Sequence, residues 1–553
     1  MSAKKSIIAV IVLFSTTHAA AVDLQVVSVS PSRHALTAPL NTPISITFDR
    51  AVSPPSITPN SFRVAGRWSG PMSGTFSFSN GDQTVTFTPQ AGGSYSAGEI
   101  VYVNLSTGIL AADTAPLRPG GYAYQFWTVA APAAREFNSI AVMSNRTPPG
   151  TSNTRIYGAM GADLNNDGYL DLTTVNEDSH DLRVFMNKAD GTGLYDPFLT
   201  PPLPIGVEAS PNEPGDFNND GFVDIAAAAS SSHSAWIALS DGDGTFSPAQ
   251  EVAVGNTPHG LAVLDVDGDA DLDIAVTNTG SGNVALMINN GSGVFGPATF
   301  FEGGGSNEYG LISADMNNDG LYDLVVGAQG SHTLIVHLGN GNGTFTPQPP
   351  TSAGGAVWML AGGDVNADGN MDVTAANSYS QNGAIALGNG AGGLGAPIIA
   401  AISIHCIATD LGDLDGDGDL DWVLSSFSGG FWRLYTNNGA GAFTSDQDFD
   451  AVSNPSCAIM LDIDNDRDLD LVLTDEIADL VNVWKNRGPA VKGDMNCDGR
   501  NDGMDVGAFT LALLNPAAYN VAYPHCLIEN ADADLNTIIN TGDILPFVQL
   551  LVE

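Results

Sequence analysis

"DLDGDGDLD", residues 413–421, puts five aspartates into nine positions with two glycines among them. Like charges this close repel: at ~4 Å and an effective dielectric near 20, each pair costs roughly 4 kcal/mol. A folded chain keeps such a stretch either as a solvated acidic loop or wrapped around a cation. The pattern D-x-[DN]-x-D-x-x-x-D recurs, starting at residues 163, 216, 265, 315, 364, 413 and 462. Successive starts lie 53, 49, 50, 49, 49 and 49 residues apart. A solvated loop has no reason to keep that period, whereas a stacked structural unit does.

Each copy has the same surroundings. A short apolar stretch such as "GLAVLDV" precedes it, and a second such as "DIAVTN" or "DLVVGA" follows. A third, "NVALMIN" or "TLIVHLG", runs into a glycine-rich turn and an aromatic. Phe246, Phe295, Phe345 and Phe443 each fall thirty residues after the first aspartate of their repeat. With a weaker fourth strand, this is the strand content of one β-propeller blade. Seven copies predict seven blades. The last copy stops at "VWKNRG", one strand short, and "EFNSIAVMS" (136–144) is expected to supply that strand and seal the ring, leaving no open sheet edge.

Calcium takes six to eight oxygens, and a tight loop supplies them from positions 1, 3 and 5, a backbone carbonyl at 7 and a final carboxylate. The candidate ligands are therefore Asp163, Asn165, Asp167, Tyr169 and Asp171, then Asp216, Asn218, Asp220, Phe222 and Asp224. Next come Asp265, Asp267, Asp269, Asp271 and Asp273, with Asp315, Asn317, Asp319, Leu321 and Asp323. Asp364, Asn366, Asp368, Asn370 and Asp372 form the fifth set, and Asp413, Asp415, Asp417, Asp419 and Asp421 the sixth. Asp462, Asp464, Asp466, Asp468 and Asp470 complete the series. Glycine at position 6 permits the positive φ of the sharp turn; Ala270 and Arg467 stand there in two loops. Magnesium fits less well because it demands near-ideal octahedral geometry, and zinc prefers His or Cys. Metal-free acidic turns are the alternative.

The Asp-rich loop, the apolar strand after it and the "GNGNGTF" turn resemble FG-GAP/VCBS repeats, as in the integrin α-subunit propeller. The resemblance spans roughly residues 136–488. It implies a calcium-binding propeller and leaves function open, since that family hosts adhesion, lectin and occasional enzyme roles.

The flanks differ from the repeats. Lys4, Lys5, the apolar run Ile7 to Phe14 and "AAA" at 19–21 read as a signal peptide over residues 1–21. Residues 22–130 alternate strand-like stretches ("PISITFD", "QTVTFTP", "EIVYVNLS") with Pro, Asn and Gly turns and look like a bacterial Ig-like β-sandwich, expected to act as a spacer. Residues 131–135 and 489–492 read as linkers. The segment 493–553 carries two twelve-residue loops, each followed by an apolar stretch of helical spacing. Asp494, Asn496, Asp498, Arg500, Asp502 and Asp505 mark the ligand positions of the first loop; Asp532, Asp534, Asn536, Ile538, Asn540 and Asp543 mark those of the second. This tail is similar to a type I dockerin, which implies two further calcium ions and a cohesin-like or cell-surface partner, although Thr537 stands where that family has glycine. The fold class expected is mainly β: a seven-bladed β-propeller preceded by an Ig-like β-sandwich and followed by a small α-helical, EF-hand-like domain.

The 553 residues include 18 basic and 61 acidic side chains, a net charge of −43. That balance argues against nucleic acid and anionic membranes, both of which need a basic face. Four cysteines in an exported chain offer two disulfides, Cys406–Cys457 and Cys497–Cys526, with buried free thiols as the alternative. No catalytic motif stands out. Six residues before each loop, at the far end of the first strand, stand Tyr157, Ser210, His259, Tyr309, Trp358, Ile407 and Ser456. Tyr157, His259, Tyr309 and Trp358 are the candidate ligand-binding residues, because amphipathic aromatics around one opening can stack on a sugar or a peptide; ordinary packing is the alternative. The function expected is a secreted, calcium-loaded, non-catalytic recognition, adhesion or assembly protein for an extracellular glycan or protein. The alternative is a carbohydrate-active enzyme at the channel mouth, favoured by charged groups on the axis.

Overall fold

The strand after each acidic loop is buried at all six positions, from Asp171–Asn176 in the first repeat to Asp470–Asp475 in the last. A run apolar on both faces must be covered on both, and each of these strands lies inside an antiparallel sheet. In this computed structural model, residues 22–148, 150, 152–403, 405–487, 492–496, 501–523, 526, 528–534, 536 and 538–551 are described. The expected signal peptide, linker residues 489–491, Cys497, Asp498, Arg500 and Thr537 lie outside them.

Seven repeat sheets follow one another. The first joins Ile156–Ala162, Asp171–Asn176, Asp181–Phe185 and Leu203–Pro204; the fourth has five strands and the others four. The last takes its outer strand from far upstream: Asn138–Ser144 pairs with Leu480–Lys485, Met143 opposite Val481. The strand expected to complete the last repeat therefore does so. First strands of successive sheets pack side by side, and Pro455–Leu461 of the seventh packs back against Ile156–Ala162 of the first.

The N-terminal β-sandwich consists of two four-stranded sheets, one centred on Ile44–Phe48 and Thr84–Pro89, the other on Phe62–Gly66 and Ile100–Leu105. Phe48, Phe62, Phe87, Tyr124 and Phe126 fill the space between them. It is not a detached spacer. Its backbone bonds to the acidic loops: the Trp68 carbonyl accepts from Asp163 N (2.8 Å), Thr107 N donates to Gly268 O (2.8 Å) and Ala123 N to Gly320 O (2.8 Å). In the segment that leaves it, Ala131 N donates to Arg467 O (2.7 Å) and Ala133 N to Asp415 O (3.0 Å). The sandwich thus caps the loop end of the repeat sheets.

Three short helices, Asp505–Leu514, Pro516–Ala522 and Ile544–Leu550, make up the tail. Phe509 and Phe547 stack at 3.8 Å between the first and third, and the Tyr519 hydroxyl donates to the Met495 carbonyl at 3.0 Å. No helix among the described residues is long and apolar enough to cross a membrane.

Candidate metal loops and a cavity beneath the cap

The acidic loops curl because their side chains accept bonds from their own backbone. Asp163 accepts from Asp167 N (3.1 Å) and Gly168 N (2.9 Å), Asn165 from Asp167 N (3.0 Å), and Asp167 from Tyr169 N (2.9 Å). Position 6 has positive φ throughout, even where it is Ala270 (70°) or Arg467 (78°). Position 4 shares that conformation, which explains its Asn and Gly: Asn166, Asn219, Gly268, Asn318, Gly416 and Asn465 all have positive φ.

The curl concentrates carboxylates. Oxygens of Asp265, Asp267 and Asp269 lie within 4.8 Å of one another, as do those of Asp413, Asp415 and Asp417, of Asp462, Asp464 and Asp470, and of Asp532, Asp534 and Asp543 in the tail. These clusters can coordinate a divalent ion. Buried oxygens of Asp267, Asp413, Asp462, Asp464 and Asp468 have no hydrogen-bond partner, so the donor set fits a hard cation. Burial pushes Asp413 up to about 7, and Asp273, Asp323 and Asp421 up to about 8.

The ninth-position aspartate does more than complete a ligand set. Asp171 accepts from Leu164 N (3.1 Å) and from Asn187 N (2.8 Å) at the end of the third strand. Asp273 and Asp421 make the same pair of bonds, to Val266 and Asn289 and to Leu414 and Asn437. This carboxylate straps the loop to its sheet. Protein cations already serve some loops. Arg63 of the cap pairs with Asp271 (2.9 Å), Arg135 bonds Asp415, and the buried Lys485 ammonium bonds Asp464 and, at 2.9 Å, Asp466. In the tail, Asp505 gathers the amides of Met495 (2.6 Å), Asn496 (3.0 Å) and Asp502 (2.9 Å), and in the second loop Asn536 N donates to Asp532 (3.0 Å).

At the opposite end of the first strands, Tyr157, His259, Tyr309 and Trp358 meet. Tyr309 stacks on Trp358 at 4.5 Å, and His259 lies edge-on to Tyr309, Trp358 and Tyr157 at 4.6, 5.3 and 5.7 Å. Burial pushes the His259 imidazole down to about 4, so it is neutral. Its Nδ1 faces the Tyr309 carbonyl (3.4 Å), which only accepts, so Nδ1 carries the proton and Nε2 accepts from the Tyr157 hydroxyl (2.8 Å). Trp358 Nε1 donates to that same hydroxyl oxygen. Four residues from four repeats form one bonded cluster.

Between the aromatic cluster and the cap lies a cavity of about 940 Å³, walled by all seven first strands and by cap residues including Arg67, Tyr102 and Gln125. Arg67 pairs with Glu213 at 3.0 Å; their side chains are 31% and 28% exposed, and that exposure is to the cavity they line. Arg67 is held firmly protonated by Glu213, with Tyr102 and Asp410 adding to the effect. Asp410 lines the same space, accepts from Met460 N (3.0 Å) and is pushed up to about 6 by burial. These residues escaped the sequence reading, although a signal exists. Three residues before the loop, Met160, Ala262, Ile312, Ala361 and Ile459 are apolar, whereas Glu213 and Asp410 are acidic.

Cys406 and Cys457 are free thiols, which corrects the expected disulfide. They face different junctions: Cys406 packs in the core with Val373 and Tyr435, while Cys457 Sγ approaches the Ala159 carbonyl of the first sheet at 3.5 Å. Cys526 is disulfide-bonded.

Residues 163–473 match the model of the FG-GAP-like repeat in six overlapping segments, and residues 20–128 match that of a bacterial Ig-like domain. No curated protein matches the chain. Among solved structures, an Agrocybe aegerita protein that recognises non-reducing terminal N-acetylglucosamine is 20% identical, with a TM-score of 0.40 over 55% of this chain and 82% of its own. A putative 6-phosphogluconolactonase from Bacteroides fragilis is 14% identical (TM-score 0.44; 72% and 98% covered). Virginiamycin B lyase from Staphylococcus aureus is 11% identical (TM-score 0.41; 63% and 99%). At these scores none of the three bears on what the chain does.

Proposed function

Because this chain belongs to the FG-GAP-like repeat family, we propose that it is a secreted, calcium-loaded recognition protein built on a seven-bladed β-propeller. The observation that carries this reading is the set of unpartnered buried carboxylate oxygens in loops repeated in phase around the sheets. Calcium supplies charge and coordination there. Asp413, Asp415 and Asp417, with their counterparts in the other repeats, hold it, and the ninth aspartate ties each filled loop to its sheet. The tail is a dockerin-like unit with two more ions, one bounded by Asp532, Asp534 and Asp543.

The aromatic cluster is the recognition surface for an extracellular glycan or protein. Tyr309 and Trp358 keep partly exposed faces, and stacking needs no charge. Binding of the calcium-loaded chain to a glycan and protein array tests this, with Trp358→Ala expected to lose the hits while keeping its melting temperature. An array without hits, or hits indifferent to Trp358→Ala, contradicts it.

A second reading, a carbohydrate-active enzyme, is favoured by the Arg67, Glu213 and Asp410 group. Paired carboxylates are the usual apparatus of glycoside hydrolysis. It requires release of reducing sugar from polysaccharide, lost in both Glu213→Gln and Asp410→Asn.

A further inference from the structure

The cavity has an unusual charge balance. Its lining carries two guanidinium groups, Arg63 and Arg67, and four carboxylates, Glu213, Asp216, Asp220 and Asp410. Arg67 pairs with Glu213 and Arg63 with Asp271; Asp216 and Asp220 belong to an acidic loop, and Asp410 has no salt-bridge partner within 4.0 Å among the described residues. Arg67 attracts this carboxylate without pairing with it, so its charge is only partly offset where it lines the cavity. Among the cavity's buried polar atoms without a partner, acceptors outnumber donors: the side-chain oxygens of Asn104, Gln125 and Asn212 against the Tyr322 hydroxyl and Arg63 Nε. Gln125 and Asn212 line the cavity, are 2% and 6% exposed, and have side-chain carbonyl oxygens without a partner. A packing surface would carry apolar side chains at such positions. Between these polar groups the walls are apolar or small, as at Gly260, Leu261 and Ala361.

Where Arg67 is taken up by Glu213, the acceptors in surplus and the unpaired Asp410 carboxylate favour a ligand that donates hydrogen bonds and carries a positive charge. An ammonium group has three donors and no acceptor. We propose that this cavity binds a small organic cation, its ammonium seated between Asp410 and Glu213 and its carbon skeleton against the apolar walls. A volume of about 940 Å³ lies in the range of small-molecule sites. Access runs beside the exposed Gln90 and Gly92 of the cap and the Asp220 loop, which line the outer part of the same space. Tyr157 of the aromatic cluster also lines the cavity, whereas His259, Tyr309 and Trp358 do not, so Trp358 and Asp410 report on adjoining but different surfaces.

The test uses the full chain, saturated with calcium at physiological salt, and n-butylammonium as probe with n-butanol as its neutral isostere. Saturation-transfer NMR should show binding of butylammonium and none of butanol. Asp410→Asn should weaken the butylammonium signal at least tenfold, and Trp358→Ala should leave it unchanged. Should Asp410→Asn fail to fold, Glu213→Gln replaces it, with the same loss expected. Equal signals from both probes, no signal from butylammonium, or a signal indifferent to the carboxylate variants overturns the proposal. A signal lost only in Trp358→Ala places the probe at the aromatic cluster and also overturns it.

Discussion

Asn465 in the last acidic loop donates its side-chain amide to the carbonyl of Gly168 in the first, at 2.8 Å. The same bond joins Asn166 to Gly221 between the first and second loops (3.1 Å), so the last-to-first junction is built like an interior one. A second link repeats the lesson: Asn187 donates to Ile463 O (2.8 Å) as Asn289 donates to Phe217 O (2.7 Å).

These links predict equal costs at both kinds of junction. Asn187→Leu strands the carbonyl of Ile463, since Leu170 O keeps the Tyr195 hydroxyl, and Asn289→Leu strands that of Leu272, since Phe217 O keeps Gly293 N. Each unmet group costs about 1–3 kcal/mol. Denaturant titration in calcium should find the two variants similarly destabilised. An Asn187→Leu variant as stable as the parent would mean that the first and last sheets do not bear on each other.

His259 predicts a pH dependence. Its folded pKa of about 4 lies below the ordinary 6.5, so the unfolded chain binds the proton more tightly between those values. The stability tied to neutral His259 is complete above 6.5 and is lost as pH falls toward 4. The loss amounts to a few kcal/mol. His259→Gln should flatten that part of the profile relative to the parent in calcium-saturated melts; parallel profiles would contradict the neutral, buried imidazole.

Glu99 predicts how the cap is held. Its buried carboxylate accepts from Trp68 N (2.8 Å), Ser69 N (3.0 Å), Ser69 Oγ (2.5 Å) and Ser96 N (2.6 Å), fixing the turn that carries Arg67 into the cavity. Gln turns a donor toward these donors, and each charge-assisted bond lost costs about 1.5–3 kcal/mol. Glu99→Gln should lower the melting temperature and open the cap to protease. Unchanged resistance would show that the turn stands without it.

Lys485 predicts a loop with its own counter-ion. At the matching place in the other repeats stand Met186, Leu239, Ile288, Leu338, Leu387 and Thr436. Lys485→Met leaves the five aspartates of the seventh loop without their ammonium, so the chain should lean more on calcium. The melting-temperature gap between calcium-loaded and chelated protein should widen; an unchanged gap would mean that the ammonium does not share the loop's charge.

The repeat sheets were legible because a fixed period repeats the same strand and loop signals seven times, and the missing fourth strand after "VWKNRG" pointed upstream to residues 136–144. The aromatic cluster was legible from position alone, since residues at the same place in four repeats meet. The docked cap was not. Its contacts run largely through backbone atoms such as Trp68 O and Thr107 N, which leave no side-chain pattern. One cue was there: no lysine or arginine stands between Lys188 and Arg433, so any protein cation at the acidic loops in between comes from elsewhere, as Arg63 does to Asp271 and Arg135 to Asp415. The Cys406–Cys457 pairing failed because spacing in sequence says nothing of which junction a strand residue faces.

The most direct measurement is calorimetric titration of the chelator-stripped chain with calcium, followed by thermal melts of the stripped and loaded forms. Ion binding at a hundredfold excess over its dissociation constant contributes about 2.7 kcal/mol per site. The account predicts several calcium ions bound per chain, a large rise in melting temperature, and fewer ions bound in Asp413→Ala with Asp417→Ala. No measurable binding, with superimposable melts in chelator and in calcium, would contradict it.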